Sequence, residues 1–110
     1  MFDSHFKIAN DQLIEGISIK VLHHEESMIM TQLILDCGAF IPAHTHPNDH
    51  SAYLLKGKIR IVADGITSVF GEGDSWCMKR GITHSTEALE DSTVLEVYNP
   101  KGEIEGFIAC

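Results

Sequence analysis

Basic residues are scarce in this chain. Eight Lys and Arg stand against sixteen Asp and Glu in 110 residues, a formal net charge of −8 with histidine neutral. Nucleic-acid binding needs clustered Lys and Arg to neutralise phosphates, so this balance argues against it, and against anionic membrane surfaces. The acidity itself reads as a solubility feature. No apolar run approaches the ~20 residues of a membrane-spanning helix. The start, MFDSHFKIAN, lacks the basic region and apolar stretch of a secretory leader. Cysteine is sparse: Cys37, Cys77 and Cys110 are odd in number and far apart. They read as buried or idle thiols in a reducing cytoplasm, with Cys77 the one placed to face a pocket. Long helical periodicity, linkers, low-complexity runs and internal repeats are missing too.

What remains is short apolar runs cut by turn signals. Residues 17–22, 28–36, 50–56, 58–63, 66–70, 75–78, 84–89 and 93–98 read as strands. In KIRIVA, Ile59 and Ile61 alternate with Lys58 and Arg60. Asp64-Gly65 suits a type I′ hairpin turn, and 71–74, 80–81 and 90–92 are further turns. About eight evenly spaced strands predict an all-β sandwich or small barrel in one domain, large enough to bury a core. The segment MIMTQLI, 28–34, is apolar on both faces in part. A sheet with one wet face alternates more cleanly, so a second subunit is expected to cover it, as a homodimer.

Histidine is concentrated where the chemistry should lie. Three of seven histidines fall within HTHPNDH, residues 44–50. His44 and His46, two apart, point the same way in an extended segment. The segment 47–49 can turn, and His50 opens the next strand. His84, between a turn and a strand, is a natural fourth. Imidazoles at such spacing suit a borderline transition metal. A polar turn rich in imidazole is the competing reading. His5 and the adjacent pair His23-His24 are not expected to be ligands; in the pair, one ring is expected buried and hydrogen-bonded, the other in water. On the last strand, TVLEVYNP, Glu96 shares a face with Tyr98. Facing inward, Glu96 is a general acid or base with Tyr98 as a second proton donor; facing outward, it is a solvated edge charge. The inward reading is the expectation.

GAFIPAHTHPNDHSAYLLKG, residues 38–57, resembles the first cupin motif: Gly38, His44, His46 and Gly57 stand at its spacings. His50 occupies the position where that motif has a glutamate. GDSWCMKRGITH, residues 73–84, resembles the second motif through Gly73, Gly81 and His84, with Lys79 in place of its proline and Ala88 in place of its asparagine. The two motifs together cover residues 38–88. The resemblance implies a double-stranded β-helix, the cupin jelly-roll barrel, as a single domain over 1–110. It implies one divalent transition metal ion on His44, His46, His50 and His84. Exchanging the carboxylate for imidazole leaves the ion its full charge. It disfavours Mg²⁺, which prefers oxygen, and leaves Mn, Fe, Ni, Zn or Cu.

A narrower resemblance links HTHP, YLLKG and ALEDSTVLEVYNP to the small cupins that linearise unsaturated uronates in pectin and alginate breakdown. By it, Glu96 matches a catalytic aspartate, Tyr98 a phenylalanine, and His50 a glutamine ligand. That group's arginine would fall near Gly102, but this chain has no arginine after Arg80, and Lys101 is the nearest cation. Three functions are therefore expected to compete. The first is a metalloenzyme on a small carbonyl or sugar-acid substrate, with Glu96 moving a proton. The second is a cupin dioxygenase, and the third a non-catalytic metal or ligand binder.

Overall fold

A computed structural model of the chain describes residues 15–99. The described residues form nine strands and no helix. In chain order they are β1 (Ile17–His24), β2 (Ile29–Leu35), β3 (Phe40–His44), β4 (His50–Lys56), β5 (Lys58–Ala63), β6 (Ile66–Gly71), β7 (Ser75–Met78), β8 (His84–Ala88) and β9 (Ser92–Tyr98). Two antiparallel sheets face each other. One has the order β1-β2-β9-β4-β7, the other β3-β8-β5-β6. Consecutive strands repeatedly change sheets, the winding of a jelly roll. His5 and Cys110 lie outside the described residues, as does Lys101.

Eight strands fall where the apolar runs predict them, with ends shifted by at most two residues. The ninth, β3, carries Pro42, which cannot donate to a ladder and demotes a run read from sequence. The fold tolerates it because β3 is an edge strand and its register with β8 slips between Ile41 and His44. The Asp64-Gly65 turn is as expected, with φ of 52° and 81° at its two central residues.

The pleat sorts each strand into an inner and an outer row, and the registers stack the inner rows into layers. One layer of the larger sheet reads Ile29, Tyr98, His50 and Met78, each opposite the next. The layer below reads Thr31, Glu96, Ala52 and Trp76. Below that lie Leu33, Val94 and Leu54, all buried. The smaller sheet answers with His44, His84 and Ala63, then Ile41, Thr86 and Ile61. The core is thus apolar at its base and polar toward one mouth, where burying polar groups costs stability unless they are satisfied.

Gly57 joins β4 to β5 with φ of +101°. A Cβ there would collide with the Ser92 Oγ and the Asp91 carbonyl, and would lie 2.7 Å from the Ser92 Cα. Gly57→Ala is therefore expected to destabilise the fold by about 3 kcal/mol or more, from left-handed strain plus overpacking against backbone. A urea-unfolding midpoint within error of the parent's would contradict this.

Two expectations need correction. His23 and His24 are both exposed, because the β1 register slips between Val21 and His23 and the strand end leaves the core; His23 Nε2 pairs with Glu25 at 3.2 Å. Cys37 and Cys77 are free thiols and exposed, which removes the buried alternative and leaves that of idle thiols. Cys77 sits on the outer row of the short edge strand β7, at the rim of a pocket.

Candidate metal centre

Four histidines meet at the polar mouth. His44 ends β3, His84 begins β8, His50 begins β4, and His46 lies in the loop between β3 and β4. One ring nitrogen from each of His44, His46 and His84 lies within 4.8 Å of the others. His46 and His84 are buried and His44 is half-buried. His50 is 2% exposed. Its ring centroid stands 4.2 Å from that of His46, and it stacks on Tyr98 at 4.3 Å with 10° between the planes. The structure therefore gathers the three motif histidines around one point and sets the fourth directly against them.

Backbone carbonyls aim two of these rings. His44 Nδ1 donates to the Pro42 carbonyl at 2.8 Å, and His84 Nδ1 donates to the Ile82 carbonyl at 3.0 Å. A carbonyl can only accept, so each Nδ1 carries a proton, and in the neutral ring each Nε2 presents a lone pair. Metal-binding histidines are commonly oriented in this way. The His44 and His46 Nε2 atoms are 3.0 Å apart. Two nitrogens bound at about 2.1 Å to one ion, at the right angle of an octahedron, stand about 3.0 Å apart. The donor set and its spacing both fit a divalent transition metal.

The loop carrying His46 is tied down from outside. Gly81 N–H donates to the His46 carbonyl at 3.0 Å, and Arg80 N–H donates to Asp49 Oδ1 at 2.8 Å. Lys79 Nζ lies 3.6 Å and Arg80 Nε 3.7 Å from the same carboxylate. The Arg80 N–H, aided by the Lys79 and Arg80 charges, holds the exposed Asp49 carboxyl below the usual carboxylate range. The lysine that replaces the second motif's proline thus joins a clamp between the two motifs.

Glu96 and Tyr98 both face inward, at 1% and 2% exposure. Tyr98 lies in the histidine layer, and Glu96 one layer beneath, between Thr31 and Ala52. Thr31 is its buried cross-strand neighbour, and Thr86 is buried on the inner row of the smaller sheet. Sequence reading did not single out these two threonines; their position on the inner parity of β2 and β8 was the available signal.

Comparison with known proteins agrees with this fold. The cupin-domain family model matches residues 32–99, and the chain belongs to that family. It is 28% identical over 94 residues to the oxalate decarboxylase OxdC of Bacillus subtilis, covering 81% of this chain. The chain spans only 24% of that relative's length. Among solved structures it resembles KdgF from Halomonas sp., with a TM-score of 0.75 and 24% identity over 86% of this chain and 94% of that one. An RmlC-like cupin from Shewanella frigidimarina has a TM-score of 0.74 at 22% identity, covering 94% and 97% of the two chains. These likenesses establish the jelly-roll fold. Among the described residues no helix is long and apolar enough to cross a membrane.

Proposed function

We propose that this cupin is a metal-dependent enzyme acting on a small carbonyl or sugar-acid metabolite. The observation that carries the reading is a buried carboxyl, Glu96, one layer beneath three convergent imidazoles on the same inner surface. His44, His46 and His84 would hold the ion, with His50 as the fourth ligand. A divalent ion there would supply a positive charge that polarises substrate oxygens. The protein's own contribution is positional. Pro42 and Ile82 carbonyls fix the rings, the Asp49 clamp holds the loop, and the apolar layer below excludes water. Glu96 moves a proton to or from the substrate, and Tyr98 offers a hydroxyl at the same level as His50.

The narrower resemblance to uronate-linearising cupins makes unsaturated uronates the first substrates to try. Metal content by elemental analysis, then loss of enol absorbance with oxygen uptake recorded in parallel, tests the reading. Absorbance loss without oxygen use supports it. Oxygen use makes the chain a dioxygenase instead. Retention of full metal-free activity overturns it.

A homodimer forms part of the proposal. The outward residues of β2, β9 and β4 include Met30, Ile34, Leu95, Val97, Tyr53 and Leu55, and the charge among the outward rows of these central strands is Lys56 at the end of β4, opposite Thr93. Ile34, Tyr53 and Leu55 are exposed. The outer row of the smaller sheet instead carries the Arg60–Glu87 ion pair at 2.7 Å. A largely apolar face with its charge confined to one end is the one a second copy covers. Light scattering is expected to give twice the chain mass, and Leu55→Glu with Tyr53→Lys is expected to give a monomer.

A further inference from the structure

The two sheets leave a gap where their edge strands β6 and β7 face each other. A pocket of about 240 Å³ opens there. Its walls are mainly Ile61, Ala63, Phe70, Trp76, Met78 and Ile82, with Ser68 and Lys79 among its polar members. Phe70 and Trp76 stack at 4.4 Å along one side.

This pocket adjoins the histidines through three residues. Met78 is the register partner of His50, Ala63 is that of His84, and the Ile82 carbonyl accepts from His84 Nδ1. It reaches the Glu96 layer as well, since Trp76 and Glu96 flank Ala52 from opposite sides. A larger hollow of about 500 Å³, around Gly16 and residues 36–40, lies at the other end of the barrel and touches none of these groups.

We propose that the side pocket receives the apolar group of the substrate, and that the substrate is a 2-oxo acid bearing an aryl or branched alkyl group. This rests on the metal-dependent reading above for the placement of the oxygen-bearing head. The volume equals about eight waters of liquid, room for a six-membered ring with a short arm. A sugar acid placed here would desolvate its hydroxyls against Trp76, Phe70, Ile61 and Met78, which offer little in return. An aryl or branched alkyl group has the opposite balance. The head then lies toward the histidines, at the end of the pocket where Met78 and Ala63 meet His50 and His84.

Trp76 is the chain's single tryptophan, so its emission reports occupancy. Phenylpyruvate, 4-methyl-2-oxopentanoate and pyruvate are titrated by calorimetry and by Trp76 emission, with metal-loaded and metal-stripped protein. The two bulkier acids are expected to bind about tenfold to a hundredfold tighter than pyruvate, the gain from burying their apolar groups. Ser68→Phe, at an exposed position on β6, is expected to erase that preference without changing the metal bound per chain. Ala63→Leu, which narrows the pocket from the neighbouring strand β5, is expected to erase the preference as well. Equal affinities for the three acids overturn the proposal, as does a preference that survives both substitutions. A preference that persists in stripped protein while no metal rebinds keeps the pocket and removes the metal reading. Metal binding without the preference does the reverse.

Discussion

Replacing His84 by alanine is expected to lower metal affinity on the order of a hundredfold or more. Loss of partners that merely orient a ligand costs about ten- to a hundredfold, and loss of a ligand itself should exceed this. His84 is 1% exposed, and its ring is aimed by the Ile82 carbonyl. His50→Gln separates the fourth position from the other three. If His50 is a ligand, affinity falls by about tenfold or more; if its ring serves only to stack on Tyr98, the metal is kept and stability falls. Dialysis against chelator, then elemental analysis and competition titration, measures both, with circular dichroism reporting that the fold persists. Full metal occupancy in His84→Ala after dialysis would sink the assignment.

Glu96→Gln is expected to reduce turnover by about 10²- to 10⁴-fold, the usual weight of a positioned acid or base. The change keeps shape and a hydrogen-bonding side chain in a layer where Thr31 and Ala52 are its cross-strand neighbours, so the metal content should be unchanged. Tyr98→Phe keeps the ring that stacks on His50 and removes only the hydroxyl. Its effect on turnover is expected to be smaller, about tenfold, if the hydroxyl assists proton movement. Steady-state kinetics on a turned-over substrate reads both. A Glu96→Gln protein with undiminished kcat removes the carboxyl from the mechanism and leaves the histidines to be explained as a binding site.

Much of this was legible before any coordinates. Period-two alternation marks Ile59 and Ile61 as inward, and the spacings from Gly38 to Gly57 and from Gly73 to His84 place three histidines on one mouth. The failures have physical causes. Pro42 hides β3 because a proline in a run counts against a strand, and only an edge position forgives it. The register slip between Val21 and His23 carries both His23 and His24 into solvent, and nothing in their side chains announces it. Glu96 has a definite parity within its own strand, but which parity faces the core depends on the strands to either side. Of the side pocket, only the expectation that Cys77 faces a pocket was legible. The pocket exists because β6 and β7 are edges of different sheets, a relation that spacing along one chain does not encode.

The distribution of the four histidines has a thermodynamic consequence. His44 and His84 belong to one sheet, His50 to the other, and His46 to the strap between them. An ion held by all four would fasten the halves of the sandwich together, and the unfolded chain could not reproduce that grip. Free metal would then shift the melting temperature by mass action, adding about 4 kcal/mol of stability at a thousandfold excess over the dissociation constant. The barrel's resistance to heat would become a gauge of the metal supply around it.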